Sequence, residues 1–321
     1  MNTKYMNAPD HHALPIRLSD EVAQARATGA PVVALESTII THGMPWPRNL
    51  ETARLVEDEV RAHGATPATI AVIDGSIRIG LPEESLHDLA RRKDVAKLSR
   101  ADLAACIARG ATGATTVAAT MICAHLAGIR VFATGGIGGV HRGADSSFDI
   151  SADLHELART PVTVVAAGAK AILDLPATLE VLETLGVPVI AVGQDAFPAF
   201  WSRDSGLAAP LRMDDPGQIA RAHLMRAALG LSGGQLVANP VPAEAEIARA
   251  EIDPIIDRAI AEAERQKIGQ KRLTPFLLAR IFALTRGRSL ETNMALVRNN
   301  ARLGAEIARR LADIAPAGIA D

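Results

Sequence analysis

Six short runs rich in valine, isoleucine and alanine recur along the chain, at 31–36, 68–74, 130–134, 162–167, 187–192 and 235–239. Each is strand-sized, and most end at a glycine or a polar turn. They are apolar throughout rather than alternating with polar residues. A strand apolar on both faces has no side to offer to water. It belongs in a mostly parallel or mixed central sheet with helices on both faces, so the predicted class is α/β.

Helical patterns separate the runs. Asn49–His63 carries Leu50, Ala53, Val56 and Val60 and stops at Gly64, and Thr115–Leu126 runs on to Gly128 in the same way. A third, Ala171–Leu185, ends at Gly186, with a break or restart expected at Pro176. From Thr274 onward the chain reads as wholly helical. Thr274 is placed to cap a helix opened by Pro275 and Phe276 and running to Leu284, and a longer helix is expected from Ser289 towards Leu311. The expected organisation is a loose polar arm over 1–18, a single α/β domain over 19–314 that includes this helical C-terminal section, and a tail over 315–321.

Composition excludes several partners. With 34 Lys+Arg against 36 Asp+Glu, no strong positive field exists to hold nucleic acid or an anionic membrane. Aromatics at 3% leave too few rings for a single-strand stacking platform. Cys106 and Cys123 form no CxxC pair and read as small buried residues of a reducing compartment. The opening MNTKYMNAPDHHALPIRLSDE has no apolar core of a signal peptide, and the apolar stretch 114–140 is interrupted by His125, Arg130 and several glycines. A cytoplasmic enzyme acting on a small molecule is expected.

Candidate chemistry gathers at strand ends. Gly135–His141 follows a strand but fails the dinucleotide pattern, because G-x-G-x-x-G would need glycine where His141 stands. Such a loop lets backbone approach an anion or sugar closely, with Thr134 and His141 flanking it; it also reads as a tight strand exit. Gly110–Thr116 precedes a helix, where free N–H groups and hydroxyls favour phosphate, and Lys97 just upstream could supply the opposing charge. Plain N-caps and a surface lysine fit the same residues. Lys170 follows the run 162–167, at the carboxyl end of a predicted inner strand, where open α/β sheets collect ligands. An apolar setting favours a neutral, nucleophilic amine able to form a Schiff base; a solvated lysine opening the next helix is the plainer alternative. Glu36 ends the first run and is placed to donate a proton, or simply to cap a turn. Asp149 and Asp153, four apart, would stack on one helix face and suit Mg²⁺ or Mn²⁺ with water, unless Asp149 is an N-cap and Asp153 solvated.

Seven stretches carry a further signal: VALESTIITHGMPWPRNLETA (33–53), GATTVAATM (113–121), VFATGGIGGVHRGADSSFDISADLHELA (131–158), TVVAAGAKAILDLPATLEVLETLGVPV (163–189), GGQLVANPVP (233–242), TPFLLARI (274–281) and SLETNMALVRNNA (289–301). In these the chain resembles the pseudouridine-5′-phosphate glycosidases, which include the indigoidine synthase A-like proteins. The resemblance implies reversible cleavage of the C–C bond between uracil and ribose 5-phosphate, physiologically in pseudouridine degradation. It implies one Mn²⁺ per subunit and a homotrimer. Carried over by position, it makes Lys170 the nucleophile, Glu36 the proton donor and Asp149 the metal holder. Lys97, Val117, Ser151, Ala152 and Asp153 would contact substrate, and His141 and Asn293 would line the site. A related C-nucleotide or pigment enzyme, a class I aldolase-like lyase sharing the Schiff-base lysine, and a non-catalytic nucleotide-phosphate sensor are the alternatives.

Overall fold

The computed structural model describes residues 14–268 and 273–314. Its strands, in chain order, are β1 (Ile16–Leu18), β2 (Val32–Leu35), β3 (Thr66–Ile73), β4 (Ser76–Ile79), β5 (Ala96–Leu98), β6 (Gly113–Thr115), β7 (Val131–Ala133), β8 (Val140–His141), β9 (Thr163–Ala166), β10 (Leu173–Asp174), β11 (Val189–Ala191), β12 (Leu211–Arg212) and β13 (Gln235–Ala238). The helices are α1 (Asp20–Thr28), α2 (Arg48–Ala62), α3 (Glu83–Arg91), α4 (Arg100–Ala108), α5 (Val117–Leu126), α6 (Ala144–Ser147), α7 (Ala152–Leu157), α8 (Leu175–Thr184), α9 (Pro216–Ala228), α10 (Arg249–Arg265), α11 (Leu273–Leu284) and α12 (Arg288–Ile314).

The main sheet runs β1-β4-β3-β2-β7-β9-β13-β11-β12, with β6 and then β5 joined to β3. From β3 to β12 every pairing is parallel, while β3 meets β4 and β6 antiparallel. The sheet is therefore mixed, with a parallel centre whose strands β2, β7, β9 and β13 are almost wholly buried. That burial on both faces is what the unbroken apolar runs require. Helix α12 packs on α2, on α9 and on strands β2, β7 and β9, and α2 also packs on β3, whereas α4 and α7 pack on α5 as a second group. The main core of buried residues extends from Val22 to Leu311, and a smaller one gathers Ile40, Leu50, Leu86 and Leu89 among α2, α3 and the turn at 39–43.

Chain order reverses at the middle of the sheet: β3 lies to one side of β2, while β7 and then β9 lie to the other. In open α/β sheets the crevice outside the carboxyl ends of the strands at such a reversal is where ligands bind.

Three expectations need correction. The arm does not stay loose to residue 18, since Ile16–Leu18 pairs parallel with β4 and satisfies its backbone along that edge; residues 1–13 and the tail 315–321 lie outside the described residues. Residues 171–174 are not helical. Asp174 caps α8 through a bond from the Ala177 N–H at 2.9 Å, and Pro176 stands in the first turn, where its missing N–H costs nothing. Thr274 does not precede its helix, because α11 already includes Leu273.

Candidate active site

Three adjacent strands deliver the central groups. Glu36 directly follows β2, Thr134 follows β7, and Gly168-Ala169-Lys170 follow β9. Glu36 is nearly buried, at 9% exposure, and its two carboxylate oxygens accept from the hydroxyls of Thr38 and Thr134. Thr134 is itself held from behind: its carbonyl accepts from Asn300 Nδ2 at 2.8 Å, and Asn300 Oδ1 accepts from Asn239 Nδ2 at 3.0 Å. Asn300 is fully buried on α12 and Asn239 nearly so after β13, so four elements fix one carboxylate. Buried amides are tolerated where such a chain satisfies them.

Lys170 is half-buried, and its placement rests on two loops running side by side. Ile137 bridges Ala169, the Lys170 N–H donates to the Ile137 carbonyl at 3.1 Å, and Gly168, with φ of 76°, turns the chain in the left-handed region. The short ribbon of β8 and β10 sets His141 opposite Leu173, three residues beyond Lys170. His141 is held below its usual imidazole range, chiefly by burial and further by the positive charges of Lys170 and Lys97, against an opposing pull from Asp149.

A second set comes from the other side. β5 pairs with β6 so that Lys97 lies opposite Ala114, and Thr116, capping α5, bonds back to Leu98. Lys97, Ser99, Thr116 and Val117 thus meet at the N-terminus of α5, a position suited to an anionic group. Ser151 caps α7, with its hydroxyl accepting the Asp153 N–H. Asp153 is buried, accepting from the Ala118 N–H at 2.9 Å and the Gly138 N–H at 2.8 Å. Its carboxylate brackets the glycine loop to the first turn of α5. A side chain at Gly138 would collide with Ser151 and Asp153, which accounts for glycine there. Asp149 and Asp153 do not share a helix face, because α7 starts only at Ala152 and Ile150 bridges Val140. The residue capping α7 is Ser151, not Asp149.

These groups line one cavity of about 360 Å³. Glu36, Lys97, Val117, His141, Asp149, Ser151, Asp153, Lys170 and Asn293 all border it. Thr134 stands behind Glu36, and Ala152 is exposed, outside the lining. Among the described residues no three His, Cys, Asp or Glu side chains converge as a protein-built metal cage. Asp153 already spends both oxygens on backbone, whereas Asp149 makes no hydrogen bond through its carboxylate to a described residue. One free carboxylate beside open space fits a hard, largely hydrated dication such as Mg²⁺ or Mn²⁺, and not a zinc site.

The family model described as indigoidine synthase A like protein matches residues 21–310. The chain belongs to this indigoidine synthase A-like family. Its relatives include a pseudouridine-5′-phosphate glycosidase from Jannaschia sp. (strain CCS1), 70% identical over 93% of this chain and 99% of that protein. One of the same name from Paracoccus denitrificans is 71% identical over 92% and 98%. Among solved structures, the prealnumycin C-glycosynthase AlnA in complex with ribulose 5-phosphate superposes with a TM-score of 0.86, at 37% identity over 93% of this chain and 97% of its own. An indigoidine synthase A-like protein from Thermotoga maritima gives 0.85 at 34%, over 94% and 98%.

Within this family fold the cavity holds groups that reading strand ends passed over. His42, on the π-helical turn Ile39–Gly43, borders it with Nδ1 2.6 Å from Thr41 Oγ1, and is lowered by burial and by Lys97. Phe200, Pro275, Leu278 and Leu296 form part of its apolar wall, with Thr274 beside them. His42 stands in the quoted ITHG stretch, where a histidine beside glycine after a strand is a usable signal. The apolar wall carries none, because leucine and phenylalanine lining a site read like core.

Proposed function

We propose that the cavity binds pseudouridine 5′-phosphate and that the chain cleaves its C–C glycosidic bond reversibly to uracil and ribose 5-phosphate, a lyase activity of the pseudouridylate synthase type. The observation that carries this reading is the convergence of Lys170, Glu36 and Asp149 on one cavity in a chain about 70% identical, nearly end to end, to glycosidases of that name.

The leaving atom is carbon, so protonating a heteroatom cannot release the base as it does in ordinary glycosidases. As the C1′–O4′ bond opens, Glu36 delivers a proton to O4′ and the Lys170 amine adds at C1′. The C1′–C5 bond then breaks. Its electron pair goes to uracil C5, which takes the proton that the lysine nitrogen sheds after adding, and the lone pair so freed on nitrogen closes a C1′=N iminium. Water hydrolyses that Schiff base, freeing ribose 5-phosphate and the lysine. Lys97 and the α5 N-terminus hold the phosphate, so the open-chain sugar stays aligned, an orientation effect. Asp149 would hold one Mn²⁺ per subunit, which would supply positive charge to the base carbonyls. His141 and Ser151 border the same space. Degradation is the expected physiological direction, and the C-glycosynthase likeness favours a reaction that also runs in synthesis. A cytoplasmic homotrimer completes the proposal. None of the helices among the described residues is long and apolar enough to cross a membrane.

The test is a turnover assay on pseudouridine 5′-phosphate with Mn²⁺ and after chelation. Uracil release that depends on metal supports the proposal. Binding without turnover at full metal loading favours a sensor, and cleavage of sugar phosphates without uracil favours an aldolase-like lyase.

A further inference from the structure

Behind the cavity wall, Trp201 is 1% exposed, and its indole N–H donates to Asn293 Oδ1 at 2.7 Å, with the Ser289 carbonyl at 3.3 Å as a second acceptor. An indole nitrogen can only donate. It therefore settles which end of the Asn293 amide faces it: the oxygen points to Trp201, and Nδ2 is turned away. No described residue accepts from Nδ2, and Asn293 is half-buried on the cavity lining. The backbone beside this pair is built for the purpose. Phe200 sits in the left-handed region at φ 61°, a strained state for a bulky residue. That turn puts the Phe200 ring on the cavity wall and the Trp201 ring behind it, edge to face with centroids 5.0 Å apart. Bonds from the Phe200 N–H to the Ala167 carbonyl and from the Ile247 N–H to the Trp201 carbonyl, each at 3.0 Å, fix both residues.

We propose that Trp201 is a positioning residue whose N–H holds Asn293 with its amide NH₂ facing the cavity, so that this corner takes an oxygen acceptor of the substrate and rejects a donor. The inference rests on the proposed function and adds to it a residue that never touches substrate. The acceptor is either a carbonyl of the base or an oxygen of the sugar phosphate; the neighbouring Phe200 and Leu296 suit a planar base.

The experiment is a double-mutant cycle with Trp201→Phe and Asn293→Ala, read as kcat and KM on pseudouridine 5′-phosphate. Trp201→Phe is expected to raise KM about tenfold with a smaller change in kcat, and the double variant to be no worse than Asn293→Ala alone. Losses that multiply overturn the proposal, because a merely structural tryptophan acts independently of Asn293. Product inhibition identifies the acceptor. A higher inhibition constant for uracil alone in Trp201→Phe, with weaker discrimination against cytosine, assigns the base carbonyl; a higher constant for ribose 5-phosphate alone assigns the sugar phosphate; no change in either overturns the proposal. Should Trp201→Phe not fold, the wild-type protein still decides. It has two tryptophans, so the indole N–H of Trp201 is separable from that of Trp46 by ¹⁵N NMR. That signal must move when uracil or ribose 5-phosphate is added, and a signal unmoved by both overturns the proposal. Failure of these tests in a wild type that turns over removes only the role of Trp201, whereas a wild type without turnover overturns the underlying reading as well.

Discussion

At the scale of single residues, the site is governed by how little freedom its charged groups have. Glu36 is clamped by two threonine hydroxyls, and Thr134 is clamped in turn by Asn300. Thr134→Val keeps the shape but frees one carboxylate oxygen. It is expected to lower kcat by roughly 10- to 100-fold with KM within about threefold, as measured by steady-state kinetics. Lys170 and Glu36 were legible as candidates because each stands at the carboxyl end of an apolar run, although a solvated lysine and a turn-capping carboxylate fitted the same positions. Asp153 is legible as a position, but its pairing with Asp149 is not what the spacing suggests. Two carboxylates four apart suggested a shared helix face, but the helix starts between them, and Asp153 went to backbone N–H groups instead.

At the scale of elements, Asp153 connects α5, α7 and the glycine loop. An asparagine there offers one acceptor oxygen and sets its NH₂ against a backbone N–H. Asp153→Asn is therefore expected to cost about 2–3 kcal/mol in urea unfolding, along with a fall in kcat, because the loop that positions Lys170 loses its bracket. The same junction shows why element boundaries were harder to read than their existence. The six apolar runs all became strands, since burial on both faces leaves a signal in every residue. Residues 171–174 read as helical from their apolar composition, and nothing local reveals that Leu173 and Asp174 pair with the distant strand β8. The edge strand β1 was missed for the same reason: three residues bonded to β4 are a tertiary fact.

At the scale of the whole molecule, the reversal of strand order between β2 and β7 explains why Glu36, Thr134 and Lys170 meet, and α12, packed across β2, β7 and β9, reaches them with Asn293 and Asn300. Fold class and this crevice follow from the apolar runs and the parallel rule; the contribution of α12 does not, because it depends on where a distant helix packs. Stability should respond to pH through His223, buried against Thr163, which burial first and then Arg130 and Arg226 hold down at about 4 from an ordinary 6.5. Above 6.5 the imidazole is neutral in both states and the contribution is intact. As pH falls towards 4, the unfolded chain takes a proton that the folded one refuses, so stability drops. His223→Gln should shrink the difference in urea-unfolding free energy between pH 7 and pH 5 by roughly 2 kcal/mol; an unchanged difference would remove His223 as its source. The central claim is that an amine at the crevice captures the sugar carbon. Borohydride reduction with ribose 5-phosphate, followed by peptide mass mapping, tests it most directly. The account predicts a stable pentose phosphate adduct on the peptide carrying Lys170, absent in Lys170→Ala together with turnover; no adduct, an adduct on Lys97 instead, or normal turnover by Lys170→Ala would contradict it.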